Sequence, residues 1–427
     1  MSATAVQGGD ARLRLPTLLA RVYLPFAAAY FLSYLYRTVN AVIGPRIAGE
    51  MGLAAGELGL LTSAYFITFA AVQLPLGLAL DRYGPRRVQA CLLLSAAAGA
   101  AVFGLGDSMA QLVAGRMLIG LGVAAGLMGA MKVISLWFRA EHWPLMNGVL
   151  MAAGGLGSLV ATAPTEAALG VMSWHAVFFV LSGATLVVAA AIWLVVPERP
   201  GTAASGTLGQ QMAAVGTIMR DAYFWRLAPV AAFQQASFIG IQTLWIGPWL
   251  RDVAGQDAAT RGTTMLIAAV AMTAGFLSSG IVAGALARRG ISHFATTTGS
   301  IVLFVLVLSG LALLDIPALP GLLGNPLAWW CAFAFLGTYV IVYYPVLTQA
   351  FPLELSGRVT TSMNFLMFSA VFAAQWGIGV VLDLWPRTAA GGYAPAGYSA
   401  AFATCAALQV IALGWLAVWR ARPVAAR

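Results

Sequence analysis

Two apolar runs, Leu58 to Leu80 and Val88 to Gly106, stand on either side of the segment Asp81-Arg82-Tyr83-Gly84-Pro85-Arg86-Arg87. Each is about as long as the ~20 residues a helix needs to cross the hydrocarbon core of a bilayer. So charged a segment between two such runs has one place to go, a tight turn at the membrane surface, since a charge at the bilayer centre costs ~3 kcal/mol even on the mildest scale. The same ruler finds twelve spans in the chain, at 21–45, 58–80, 88–106, 110–137, 145–166, 175–196, 225–250, 263–287, 294–314, 327–350, 359–383 and 398–420. Composition agrees: 61% of the 427 residues are hydrophobic and 9% are charged, where soluble domains carry about 25% charged residues. The expected fold class is an all-α polytopic membrane protein of 12 transmembrane helices in two six-helix halves.

The formal net charge of +9 would suggest nucleic acid in a soluble protein; here its distribution gives orientation instead. With the N-terminus inside, the tails, the loops at 81–87, 138–144, 197–224, 288–293 and 351–358, and the span ends beside them at Arg21, Arg226 and Arg420 hold 16 of the 23 Lys and Arg. The other side keeps Arg46, Arg251, Arg261 and Arg387. By the positive-inside rule both termini are expected in the cytoplasm, as for a multi-pass protein of a bacterial inner membrane. The longest loop parts the chain into a tail at 1–20, a six-helix bundle at 21–196, a linker at 197–224, a second bundle at 225–420 and a tail at 421–427. No cleavable signal is visible. Cys91, Cys331 and Cys405 lie in apolar segments and read as small hydrophobes, forming neither a disulfide framework nor a metal site.

Around the first loop, Gly77, Asp81, Arg82, Gly84, Arg86 and Arg87 fall in the pattern G-x-x-x-D-R-x-G-x-R-R. It resembles the signature loop between the second and third helices of the major facilitator superfamily of secondary transporters. The resemblance implies that these residues lie against helix ends and latch the outward-open state, with Asp81 able to pair with an arginine across the halves and no substrate contact. Arg116-Met-Leu-Ile-Gly120-Leu-Gly122 resembles the family's R-x-x-x-G-x-G pattern in helix four, where the arginine is associated with proton coupling or structural pairing; its place near one end of the span favours structure. The halves echo each other faintly: Gly284…Arg288-Arg289 answers Gly77…Asp81-Arg82, and Met363-Asn364 answers Met146-Asn147. Parallel repeats of this kind place a substrate site between the halves near the midplane. In helix five, Gly148 and Gly157 keep the first spacing of the family's exporter motif, but Ala161-Thr162 replaces its Gly-Pro pair. The exporter signature is not met, and the glycines suit close helix packing.

Three basic residues remain inside the spans: Arg37, Arg116 and Lys132, the chain's only lysine. Tyr30, Ser33, Tyr34, Arg37 and Asn40 recur at spacings of three and four, a polar stripe on an apolar helix that faces a water-filled cavity rather than lipid. Tyr34-Leu-Tyr36-Arg37-Thr-Val-Asn40 also resembles the first helix of the organophosphate:phosphate antiporters and anion:cation symporters, which implies that Arg37 binds the substrate's anionic group. A guanidinium suits that task, being permanently charged and offering a planar fork to carboxylate or phosphate. Pairing with a helix carbonyl or a carboxylate is the alternative. Lys132 reads either as a second anion contact or as a side chain snorkelling to the interface.

All fourteen acidic residues fall in loops or at helix ends. A cation carrier or proton-driven drug exporter needs a buried carboxylate as counter-charge, so positive charge without its complement argues for an anionic substrate. Gln235, Phe238, Gln242, Trp245 and Trp249 share one face of helix seven; Tyr339 and Tyr343 lie on helix ten, and Asn364 and Gln375 share a face of helix eleven. These amides and aromatics are expected to line the C-terminal side of the cavity, with helix–helix hydrogen bonding as the alternative. There is no GxxxxGK[ST], no nucleophile elbow, and only His142, His175 and His293 from which to build a catalytic or metal site. The expectation is therefore no enzyme, no cofactor, no metal and no nucleic acid. The family resemblance implies a monomeric transporter working by alternating access, with H+, the family's default, as coupling ion; the residues point to uptake of a small organic anion. Export of a drug or metabolite is the runner-up, and a transporter-like sensor the third reading.

Overall fold

The computed structural model describes residues 15–198, 208–313, 325–352 and 355–419. The 421–427 tail and residues 1–14 of the expected N-terminal tail lie outside them, as do residues 199–207 of the linker. Every element among the described residues is helical. That is the consequence of burying a backbone in hydrocarbon, where each N–H and C=O must be satisfied within its own segment.

Among the described residues, eleven helices are long and apolar enough to cross a membrane. They are α1 (Leu15–Thr38, carried on past Val39 by Asn40–Met51), α2 (Ala55–Tyr83), α3 (Pro85–Gly104), α4 (Met109–Trp137), α5 (Leu145–Ala168) and α6 (Trp174–Val195) in the first half. In the second half they are α8 (Ala258–Arg288), α9 (His293–Leu313), α10 (Pro326–Thr348), α11 (Ser356–Leu382) and α12 (Pro395–Val418). The twelfth path is α7, an α-helix over Ala222–Gly240 that passes through a π-helical turn at Ile241–Trp245 into Ile246–Asp252. The linker is not all loop: Leu208–Met219 is a helix whose Val215 and Ile218 are buried.

The repeat that was faint in the sequence is plain in the backbone. α1 breaks at Val39 and α7 at its π-turn; α4 breaks at Ala124–Ala125 and α10 at the 3-10 turn Thr338–Val342. Corresponding members of the two halves are thus interrupted near mid-span, the places where broken helices line substrate paths in such repeats.

The halves meet along α2 and α11, which run antiparallel. Gly56 lies against Asp383 and Gly59 against Gln375. Phe69 and Phe368 have ring centroids 4.4 Å apart, and Asn364 Nδ2 donates to Gln73 Oε1 at 3.3 Å. A Cβ on Gly379 would sit 2.3 Å from the Ala55 carbonyl oxygen, so only glycine permits this approach. α1 and α7 cross as closely, with Gly247 against the Ala41 carbonyl.

The two ends of the bundle differ. At the end carrying residues 81–87, the loop is held against its own half. Gly84 turns the chain at φ +79°, Lys132 Nζ meets Asp81 Oδ1 at 2.7 Å, and Arg86 and Arg87 both pair with Glu198. In this conformation, joined across the halves at the opposite end, the partner of Asp81 is Lys132 of the same half, which α4 sets beside it; the arginine partner that the resemblance implies belongs to the outward-open state. At the opposite end, carboxylates bridge the halves. Asp383 accepts from the Ala55 and Gly56 N–H groups at 2.8 and 2.7 Å, capping the start of α2 from the other half. Arg387 donates to the Leu53 carbonyl, and Glu166 of α5 faces Arg261 of α8 at 3.9 Å.

Candidate functional site

Between the halves, α1, α5, α7 and α8 enclose a cavity of about 20 Å³, room for little more than one water. Arg37 stands at its wall, 8% exposed. The stripe of α1 is what places it there: Tyr34, Arg37 and Thr38 all reach the cavity. The guanidinium carbon lies 4.8 Å from the Tyr34 ring centroid, 5.3 Å from that of Phe69 and 5.4 Å from that of Phe368. Three aromatic faces, one of them from the opposite half, compensate part of its burial. Its Nε has no hydrogen-bond partner, and no carboxylate among the described residues pairs with it. A guanidinium set among aromatic rings, with an unpartnered Nε and no carboxylate beside it, retains donor capacity that an anion can use.

From the other half, Gln235 and Gln242 line the same cavity, and the Oε1 atoms of both are buried without a partner. Thr38, Ser158 and Thr243 add hydroxyls, and Phe238, Met272 and Phe276 an apolar wall. One permanent cation, two amides and three hydroxyls thus meet in an otherwise apolar enclosure between the halves.

The remaining candidates lie elsewhere. Asn40 is buried and donates to Thr62 Oγ1 at 3.1 Å, tying α1 to α2. Lys132 is at the far end of α4 with Asp81, away from the cavity. Trp245 donates to the Gln375 carbonyl at 3.0 Å, while Gln375 Nε2 reaches Thr243 Oγ1 at 3.0 Å and the Gly240 carbonyl at 3.3 Å. Together they clamp α11 to the π-turn of α7. Tyr339 bonds Ser278 at 3.2 Å, and Tyr343 is buried in the core cluster to which Phe224, Leu227 and Val359 also belong. Asn364 accepts from Tyr344 and donates across the halves to Gln73. Arg116, 1% exposed, donates to the Tyr36 carbonyl at 2.9 Å and lies over Phe103 and Phe178. It braces α1 one residue before Arg37. Gly77 has open space around it, and Arg82 lies over the Tyr83 ring. The cavity residues that the sequence did not single out, Ser158, Ile239, Thr243, Met272 and Phe276, are short hydroxyls and apolar side chains of the kind found everywhere in a membrane helix. Only the fold distinguishes them.

Comparison with known proteins bears on what this cavity serves. The profile of the Major Facilitator Superfamily matches residues 26–375. The chain is similar to a probable sulfoacetate transporter of Cupriavidus necator, 27% identical over 157 residues that make up 37% of this chain and 36% of that one. It is similar to a probable L-galactonate transporter of Escherichia coli K12, 32% identical over 162 residues, 38% of this chain and 35% of that one. A hexuronate transporter of the same organism is 24% identical over 241 residues, 52% of this chain and 55% of that one. These matches thus span about a third to a half of each relative's length. Among solved structures, a bacterial homologue of the human lysosomal transporter Spinster, inward-facing and unoccupied, superposes with TM-score 0.75 over 95% of this chain and 97% of that one, at 18% identity. A D-xylose-proton symporter does so with TM-score 0.70 over 92% and 97%, at 14% identity. Those two likenesses are of fold.

Proposed function

The chain belongs to the major facilitator superfamily, and from that premise we propose that it takes up a small organic anion across a bacterial inner membrane by alternating access. The observation that carries this reading is Arg37, a buried guanidinium at the midplane cavity with aromatic faces around it and no carboxylate beside it. A resident cation is costly there unless it is matched by a charge, and the matching charge in this reading is the substrate's. Gln235 and Gln242, whose amide oxygens lack partners, orient the remainder of the molecule. The relatives are described as carriers of sulfoacetate, L-galactonate and hexuronate, all organic acids, which supports the class and leaves the member open.

In this reading the bundles at 21–196 and 225–420 rock about the cavity, joined by the 197–224 linker. Both termini and the 81–87 loop are cytoplasmic, as the arginine distribution supports. The structure's closed end is then the outer one. Protons supply the driving force and the monomer is the working unit. The Asp81–Lys132 pair belongs to the conformational machinery and Lys132 makes no substrate contact. Uptake is preferred to export because helix five lacks the Gly-Pro pair of the exporter motif.

The test is uptake into proteoliposomes under an imposed inward proton gradient, with labelled L-galactonate, sulfoacetate, galacturonate, inorganic phosphate and a cationic dye. Accumulation of one of the anions, collapsing with the gradient and lost in Arg37→Ala, is the expected result. Gradient-driven extrusion of the dye with the anions inert would replace the reading with the exporter.

A further inference from the structure

The closed end carries a second cluster of buried charge on the helices that line the cavity. Glu166 sits on the last turns of α5, beyond the break at Ala161–Thr162, and is 8% exposed. Its Oε1 accepts from Arg46 Nη2 of α1 at 2.9 Å, and the same arginine donates to the Leu169 carbonyl at 3.0 Å. Its Oε2 is buried, has no hydrogen-bond partner, and faces Arg261 Nη2 of α8 at 3.9 Å, too far for a hydrogen bond. Arg261 is itself only 12% exposed, whereas Arg46 is 39% exposed.

The placement relates this cluster to the site below it. Arg46 is nine residues beyond Arg37 on α1, Glu166 eight beyond Ser158 on α5, and Arg261 eleven before Met272 on α8. At ~1.5 Å per residue each lies about 12–16 Å outward of the cavity. Eleven residues are close to three full turns, so Arg261 and Met272 share one face of α8. Two arginines from opposite halves thus stand over the cavity, and the charge between them is a carboxylate of the protein's own.

Resting on the anion reading above, we infer that Arg46 and Arg261 form an outer anion site on the transport path, which Glu166 fills in the closed state. An organic anion arriving from that end exchanges with Glu166. It takes the hydrogen bond that Arg261 lacks, and Glu166 retires to Arg46 alone. Because Arg261 and Glu166 belong to different halves, the exchange also removes a contact that keeps that end shut. Capture of the anion and opening toward it are then one event, and an empty carrier stays closed.

Two substitutions separate this device from a plain clasp. Both Glu166→Gln and Arg261→Gln abolish the cross-half ion pair, so both widen the closed end. On anion affinity they act in opposite directions: Glu166→Gln frees both arginines, whereas Arg261→Gln removes half the site. A clasp with no exchange gives the same sign in both, since each merely favours the open form. The full chain, with Cys91, Cys331 and Cys405 changed to serine, is spin-labelled at Val171→Cys and Leu384→Cys, exposed positions at that end on the two halves. Electron–electron distances are then titrated with L-galactonate, sulfoacetate and inorganic phosphate. The expected result is a longer inter-label distance in both variants without anion. The half-saturating anion concentration should fall by about fivefold in Glu166→Gln and rise by about as much in Arg261→Gln, the factors that a partly exposed ion pair commands. Unchanged distances in both variants overturn the latch. Distances that lengthen while the affinity moves the same way in both overturn the exchange and leave the central site standing. If none of the three anions moves any form, the anion reading of the central cavity fails, and the exchange falls with it.

Discussion

The two ends of this molecule use the same chemistry to opposite purposes. At the arginine-rich end, Asp81–Lys132 and the pairs of Arg86 and Arg87 with Glu198 stay within the first half. Breaking the halves apart there costs none of them. At the opposite end, Asp383 caps α2 from across the interface, Arg387 reaches Leu53, and Glu166 faces Arg261. Opening that end must break each one. In a two-bundle carrier, then, the polar contacts that bear on gating are those made between the halves; those within a half hold a loop in shape and travel with it.

This contrast can be broken by substitution, and the effects rank. Gly379→Val should act most strongly. Its first added carbon would overlap the Ala55 carbonyl at 2.3 Å, and overpacking of this kind costs about 3 kcal/mol. The Val171–Leu384 label distance should lengthen in nearly all molecules; a wild-type distance would mean that α2 and α11 are not apposed as described. Next comes Asp383→Ala, which uncaps α2. An N-cap is worth about 1 kcal/mol, so the same distance distribution should become bimodal, with the longer population enriched roughly fivefold. Lys132→Ala is the smallest. The pair is 25% and 41% exposed on its two sides, and such pairs contribute about 0.5 kcal/mol. A small loss in thermal stability with an unaltered label distance is the expected outcome, and a lengthened distance would erase the distinction between the ends.

Much of this was legible in the sequence, for reasons that also mark its limit. The α2–α3 hairpin followed from apolar runs that hydrocarbon admits only as helices, and Arg37 from a stripe whose period fixes a face. A helical period says which residues share a face; it does not say what that face meets. Asn40 continues the stripe of Arg37 yet bonds Thr62 beyond the break at Val39. Gln235 and Gln242 face the cavity, but the π-turn at Ile241–Trp245 takes an extra residue per turn. Trp245 thereby leaves the face that regular spacing gave it and bonds Gln375 instead. Lys132 and Asp81 are 51 residues apart, and only the packing of α4 beside the loop brings them together. The burial of Glu166 was invisible for the same reason. As a carboxylate near the end of a span it reads as solvent-facing until two arginines from α1 and α8 close over it.

Anion transport by this carrier requires Arg37 to be a binding residue rather than a structural one. The direct test is ligand-induced thermal stabilisation of the purified protein, wild type beside Arg37→Ala, across carboxylates, sulfonates, phosphates, vitamins and cationic drugs. If Arg37 binds the substrate, one or more organic anions raise the melting temperature of the wild type and leave that of Arg37→Ala unmoved. Stabilisation by cationic or neutral amphiphiles alone, equal in both proteins, would contradict it.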